Sequence, residues 1–323
     1  MKAHETEASL PRNLLPALKS RPVLNRIIRN RYLYLMLLPG LASIMIFNYI
    51  PIFGWWMAFT DYQVGKSIWQ APWVGLRFFK EFFSDSNGAL PVIRNTLIMN
   101  VSSLIVGLGV AFLFAILLKE VRLRWFQKTV QYATFLPYFM SWVILYAVVY
   151  SLFSVNSGAM NETLVRLGWL KEPLNILGDK QYSWLLIVTV NTWNSLGYNS
   201  VIFIAAIAGI PSELYEAAEI DGAGRIQKIV FITAPSLLPT LVVLVIMNAG
   251  WLLNSGLDQF FIFTNSLNME TMEVFDYYIY RFGLKQFNYS YATAVSIVKT
   301  LVSLGLLILV NRWSRRSVNQ SIF

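Results

Sequence analysis

Five stretches of the chain run without a charged residue for longer than a bilayer-crossing helix requires: 33–60, 95–118, 129–153, 181–212 and 229–257. A sixth, 289–311, is interrupted only by Lys299. A helix needs about 20 apolar residues to cross the hydrocarbon core, so the pattern predicts an all-α polytopic membrane protein with six transmembrane helices. The first run is too long and starts too late for a cleavable signal peptide. Pro39, Pro51, Pro137, Pro235 and Pro239 lie in or near the runs, and each predicts a kink or a span end because it removes a backbone donor. Tyr32, Tyr34, Trp55, Trp56, Trp69, Trp73, Trp125, Trp184 and Trp313 gather where runs meet loops, the depth at which amphipathic rings anchor a span.

Composition agrees. Hydrophobic residues make up 56% of the 323 positions and charged residues 13%, whereas a soluble domain carries about a quarter charged. That excludes a soluble domain, and the apolar content excludes disorder. There is no cysteine, so disulfides, thiolate catalysis and Cys-based metal sites are out. The one histidine, His4, lies in a polar N-terminal tail and leaves no His pair for a metal and no Ser–His–Asp triad. No metal site is expected.

The net charge of +9 is distributed unevenly. Sixteen Lys and Arg fall on one side: Lys2, Arg12, Lys19, Arg21, Arg26, Arg29 and Arg31 before the first span, Lys119, Arg122, Arg124 and Lys128 in the second loop, Arg225 and Lys228 in the fourth, and Arg312, Arg315 and Arg316 in the tail. The other side holds nine over much longer loops. The positive-inside rule then puts both termini in the cytoplasm, giving a basic cytoplasmic segment 1–31, a membrane domain 32–312 and a cytoplasmic tail 313–323. Topology and anionic lipid account for the basic excess, and nucleic acid is not an expected partner.

The most legible loop, 212–236, lies on the basic side and reads SELYEAAEIDGAGRIQKIVFITAPS. Pro211 ends the fourth span and Ser212 suits a helix N-cap. Glu213 and Glu216 follow in the first turn, where carboxylates favour the positive end of the helix dipole. Leu214, Ala217, Ala218 and Asp221 recur at spacings of three and four, and Gly222 and Gly224 can adopt the left-handed conformation that stops a helix. The segment predicts a helix of about two turns with small residues that let another protein approach closely.

Here the chain resembles the permease subunits of bacterial ABC importers. Their cytosolic motif, Glu-Ala-Ala, three residues, Gly, nine residues, Ile-x-Leu-Pro, is matched by Glu216, Ala217, Ala218, Gly222, Ile232 and Pro235, with Ala234 in the usual Leu position and Asp221 and Ala223 completing the common Asp-Gly-Ala version. The resemblance extends to FNYIPIFGWWMAFTDYQ, WVGLRFF, RNTLIMN, TVQYATFLPYFMSWV and VFDYYIYRFGLKQFNYSYATAVSIVK, which look like the carbohydrate branch and, within it, the alginate-importer permeases. It implies the type I importer permease fold, a place in the bacterial inner membrane and a carbohydrate substrate of oligosaccharide or polysaccharide type, alginate-like and acidic. It also implies a paralogous permease, two cytosolic ATPase subunits and an extracytoplasmic solute-binding protein as partners. In such permeases the short helix docks into the ATPase, so Glu213, Glu216, Ala217, Ala218, Asp221, Gly222 and Ala223 are the expected coupling residues.

The chain carries no phosphate-binding loop of its own. The closest imitation, GAGRIQK at 222–228, lacks the second glycine before its lysine, so ATP and magnesium are expected on partner subunits and no cofactor on this chain. Polar groups inside spans are functional candidates. Lys299 either faces an aqueous path and attracts carboxylates, or snorkels or pairs with a neighbouring subunit. Asn191, Asn194 and Asn199, with Asn248 and Asn254, either bond sugar hydroxyls or hold helices together. Trp193, Tyr198 and Trp251 either stack on sugar rings or pack. In the aromatic outer loop 258–288, Arg281 and Lys285 are further candidates for an anionic substrate, a small helix lying on the membrane is the plainer reading, and Asp258, Glu270, Glu273 and Asp276 read as solvated charges. The rival classes are an ion-gradient-driven carrier, disfavoured because no acid lies inside the runs, and a membrane enzyme, which no cluster of His, Asp and Glu supports.

Overall fold

The computed structural model describes residues 30–84 and 88–318, with side chains through residue 312. The basic segment up to residue 29, His4 included, and the residues from 319 on lie outside this, as do the side chains of Trp313, Arg315 and Arg316. The described regular structure is helical, apart from one isolated bridge between Thr60 and Trp73.

The chain divides into two compact units, Met1–Gly54 and Trp55–Phe323. In the first, helix α1 (Arg31–Ile44) is apolar all round and buries no residue, which suits a segment surrounded by lipid. It passes through a π-turn, Met45–Tyr49, into a 3₁₀ stretch that begins at Ile50. The change of helix type falls one residue before Pro51, whose missing N–H fits neither ladder.

The second unit is built around α3 (Ala89–Lys119) and α7 (Ser183–Ala208), which follow the amphipathic α2 (Arg77–Ser84). On the side of the later loops, α3 and α7 enclose a cluster with Met99, Ile187, Phe260, Phe263 and Met272. At the other end Leu108, Ala115, Phe203 and Leu237 form a second one.

Close approach at one crossing depends on a glycine. A Cβ on Gly197 of α7 would lie 2.4 Å from Phe135 Cα and 2.5 Å from Thr134 O, at the end of α4 (Arg124–Phe135).

Among the described residues, four helices are long and apolar enough to cross a bilayer: Arg31–Phe59, Ala89–Lys119, Arg225–Ala249 and Tyr289–Arg312. Two bent pairs bring the count to six if each is one crossing. The first lies in the run 129–153, where the kink or span end expected at Pro137 is a full break. α4 ends in a 3₁₀ turn, Leu136–Phe139, and α5 (Trp142–Phe153) starts afresh at 110° to it, with α6 (Ala159–Arg166) following in the loop before α7. Pro137 interrupts the ladder, Ser141 caps the new helix by accepting the Ile144 N–H at 3.5 Å, and the Pro137 carbonyl accepts both the Met140 N–H at 3.1 Å and the Asn194 side-chain amide at 2.7 Å. The second pair is α7 and α8 (Ser212–Ile220), bent by 66° at Gly209, Ile210 and Pro211. The fourth span therefore closes at Ala208, not at residue 212.

The fifth span is α9 (Arg225–Lys228), a π-turn Ile229–Thr233 and α10 (Ala234–Ala249). The sixth is α14 (Tyr289–Val318). Between them the outer loop folds into α11 (Leu257–Phe263), α12 (Met269–Met272) and α13 (Phe275–Tyr280), which bury Phe260, Phe263, Met272, Phe275 and Tyr278 rather than lying as one surface helix.

Asn95 of α3 pins this layer. Fully buried, it donates to the carbonyls of Glu270 at 2.8 Å and Glu273 at 3.2 Å, and Thr96 beside it accepts the Phe275 N–H at 3.1 Å. Asn95→Ala strands two carbonyls and is expected to cost about 1–3 kcal/mol. A melting curve of the purified chain in mild detergent should fall by several degrees, and an unchanged midpoint would refute this role.

Candidate functional site

The first candidate surface is α8. Pro211 fixes the backbone that enters it, and Ser212 is its first helical residue without a capping side-chain bond, so the cap falls at Pro211 rather than Ser212. Glu213 alone stands in the first turn, with Glu216 in the next. Gly222 has φ +77°, the Gly222 N–H bonds Glu219 O at 3.1 Å, and the Ala223 N–H reaches back to Ala218 O at 2.8 Å. This Schellman termination ends the helix. Gly224 is not left-handed. With φ −69° it caps α9, its N–H held by Gln227 Oε1 at 2.6 Å.

Glu213, Glu216, Ala217, Asp221 and Gly222 are exposed, and Ala218 and Ala223 half-buried. Leu214, Ile220 and Ile226 are exposed with them, Ile220 to 88%. Behind this face, the Tyr215 hydroxyl meets Thr233 Oγ1 at 2.9 Å, Glu219 pairs with Lys228 at 3.4 Å, and Arg225 pairs with Glu120 just past the end of α3. Among the described residues no side-chain hydrogen bond or ion pair joins α8 to α7.

The second candidate is a cavity of about 350 Å³ between α3, α7 and the end of α10. Asn191, Asn194, Tyr198, Asn248 and Trp251 line it, together with Asn199 and Asn254. The sequence reading missed Asn100, Ser103, Ser195 and Ser255 on the same walls. Trp193 is not part of the lining and is 38% exposed elsewhere on α7. Several of these amides already have partners: Asn191 donates to Ser103 Oγ at 3.4 Å, Asn194 to the Pro137 carbonyl, and Asn248 to Leu244 O at 2.8 Å. Tyr198 lies stacked on Tyr138, centroids 4.5 Å apart. Amides, hydroxyls and rings suit a polyhydroxylated ligand, and the lining offers no paired acid and base.

Lys299 lies on an adjoining cavity of about 380 Å³ that shares Trp251 and Asn254 with the first. Its ammonium pairs within the chain with Asp276 Oδ1 and donates to Asn254 Oδ1 at 3.3 Å. Both side chains of the pair are only 16% exposed. Asp276 Oδ2 accepts the backbone N–H of Ser255 at 2.8 Å and of Gly256 at 3.2 Å, and Ser255 Oγ accepts from Asn100 at 2.8 Å. Asp276 is thus no solvated charge. Nor is Glu273, buried and paired with Arg281 at 2.6 Å, whereas Glu270, 65% exposed in a surface pair with Lys180 at 3.0 Å, is solvated as expected. Burial raises the Glu273 carboxyl above the ordinary carboxylate range and outweighs the attraction of Arg281. Lys285 sits within 5.5–5.7 Å of the rings of Phe261, Tyr277 and Tyr280, a cation–π arrangement.

An apolar helix bundle with an amide-rich cavity and an exposed short helix beyond its spans has the make-up of a membrane transport component. Residues 104–319 match the family model described as binding-protein-dependent transport system inner membrane component. The chain belongs to this family: it is an inner-membrane permease component of a binding-protein-dependent ABC importer, and it resembles the carbohydrate branch.

It is 37% identical over 305 residues to the polygalacturonan/rhamnogalacturonan transport system permease protein YteP of Bacillus subtilis, covering 94% of each chain. To the protein LplB of the same organism it is 35% identical, covering 91% of this chain and 92% of that one. Among solved structures it is similar to a chain of a bacterial ABC transporter involved in import of the acidic polysaccharide alginate, with TM-score 0.83 and 32% identity over 92% of this chain and 99% of that one. The bacterial alginate transporter in complex with an alginate pentasaccharide-bound periplasmic protein gives the same score and identity.

Proposed function

We propose that this chain forms half of the membrane pore of an importer for acidic oligosaccharides or polysaccharides, driven by ATPase subunits that bind α8. The observation that carries the reading is α8 itself: a helix of nine residues that ends on a left-handed glycine and leaves Ile220 and its acidic side chains open to a partner. The amide-rich cavity and the likeness to permeases for polygalacturonan and alginate support a carbohydrate substrate bearing carboxylates. The Lys and Arg bias supports a cytoplasmic location for α8 and for both termini. A paralogous permease completes the pore, and a solute-binding protein delivers sugar to the opposite face. Alternating access follows when the ATPases close and displace α8.

An ion-driven carrier needs an acid free to load and release its ion. Asp276, which the fold brings to the sixth span, instead has Oδ2 held by two backbone N–H groups and Oδ1 against a lysine rather than open to a cation.

The test is purification in mild detergent followed by reconstitution. A stoichiometric nucleotide-hydrolysing subunit should accompany the chain, and oligogalacturonate with the binding protein should stimulate its ATPase. Gradient-driven sugar flux through the isolated chain without ATP would overturn the reading.

A further inference from the structure

We propose that Lys299–Asp276 is an exchangeable ion pair that selects acidic over neutral sugar. In the exchange a substrate carboxylate takes the place at Lys299 now held by Asp276 Oδ1. This deepens the transport reading and rests on it.

The two oxygens of Asp276 do different work. Oδ1 meets the Lys299 ammonium, whereas Oδ2 is held by the backbone N–H groups of Ser255 and Gly256. When Oδ1 is released, the aspartate keeps two donors. Lys299 meanwhile keeps Asn254 and gains a carboxylate of the same kind it gave up. A neutral sugar offers hydroxyls alone, and a half-buried ammonium moved from a carboxylate to a hydroxyl is left poorly compensated. The exchange therefore favours an anion over its uncharged analogue.

The surroundings fit a sugar. The cavity beside Lys299 presents the hydroxyls of Ser296, Thr300 and Ser303 and the ring of Trp251, which is 69% exposed. Trp251 and Asn254 also line the amide-rich cavity, so one polar surface runs from Asn191 to Lys299. Other cations expected to attract substrate are engaged differently: Arg281 is paired with the buried Glu273, and Lys285 stands against three rings.

The experiment uses the assembled importer with its binding protein in nanodiscs. ATPase stimulation is measured with α-1,4-linked galacturonate pentamer and with its methyl ester, which has the same backbone without the charges. One binding protein serves all variants, so changes in the acid-to-ester ratio of half-saturating concentrations report on this chain. Lys299→Met should reduce the preference for the acid by about tenfold, and Lys299→Arg should largely keep it. Asp276→Asn, which frees the ammonium, should increase it several-fold.

If Lys299→Met fails to assemble, Lys299→Arg and Asp276→Asn still decide the matter. Parallel loss with both sugars, restored in the uncharged Lys299→Met/Asp276→Asn double variant, would mean a fixed structural pair and overturn the exchange while leaving transport intact. No stimulation of the wild-type assembly by either sugar would overturn the transport reading and the exchange with it.

Discussion

Replacing Glu216 with arginine, or Gly222 with valine, is expected to abolish oligosaccharide uptake while the chain remains in the membrane at its normal level. The two changes act by different routes. Glu216 is exposed on α8 and, among the described residues, makes no side-chain hydrogen bond or ion pair that its loss would strand, so a reversed charge leaves the helix folded and alters what it offers a docking protein. Gly222 has φ +77° and open space around its Cβ position. Valine there is opposed by backbone conformation, not by crowding, and a β-branched residue avoids the left-handed region at a cost of about 1–2 kcal/mol or more. The Schellman bonds at Gly222 and Ala223 then give way and the exit toward α9 is redirected. Uptake of labelled oligogalacturonate by cells carrying the importer, set against immunoblots of their membranes, tests both. Ordinary uptake in either variant would remove α8 from the mechanism.

Gly197→Leu is expected to prevent the second unit from folding. Even the first carbon of the new side chain would lie 2.4 Å from a backbone carbon of Phe135, so α7 and the end of α4 would have to separate. Overpacking costs about 1–3 kcal/mol where side chains can yield, and here the obstacle is backbone. Gly109→Leu on α3 is the control, since nothing lies within 4 Å of its Cβ position. Size-exclusion profiles of the two variants in detergent should separate them: aggregation for Gly197→Leu and a native peak for Gly109→Leu. Two native peaks would show that the crossing tolerates a side chain.

The spans were legible because a bilayer demands long uncharged runs, and five of the six runs overlay helices with ends shifted by up to eight residues. The break in the third was announced only by Pro137. Whether a proline bends a helix or divides it depends on what the rest of the fold offers the broken ladder, here Asn194 on the Pro137 carbonyl, far along the chain. α8 was legible because its chemistry is local: small residues, early acids and a glycine that must turn left. Ser212 misled since it follows a proline that already sets the entry.

The polar cavity was half legible. Asn191, Asn194, Tyr198, Asn248 and Trp251 stood out as polar or aromatic groups in apolar runs, yet nothing local marked Trp193 as facing elsewhere. Asp276 was misread because its partner is 23 residues away on another helix. The available signal was the other half of the pair: a lysine within an apolar span requires a counter-charge, and the neighbouring loop held the candidates.

The fastening behind α8 is lopsided. Tyr215 and Glu219 clasp the start of the fifth span, Arg225 hooks the rim of α3, and among the described residues no side-chain bond reaches the fourth span, which joins α8 through the turn at Gly209, Ile210 and Pro211. A force applied to α8 would therefore load the π-turn at Ile229–Thr233 before it reached α7.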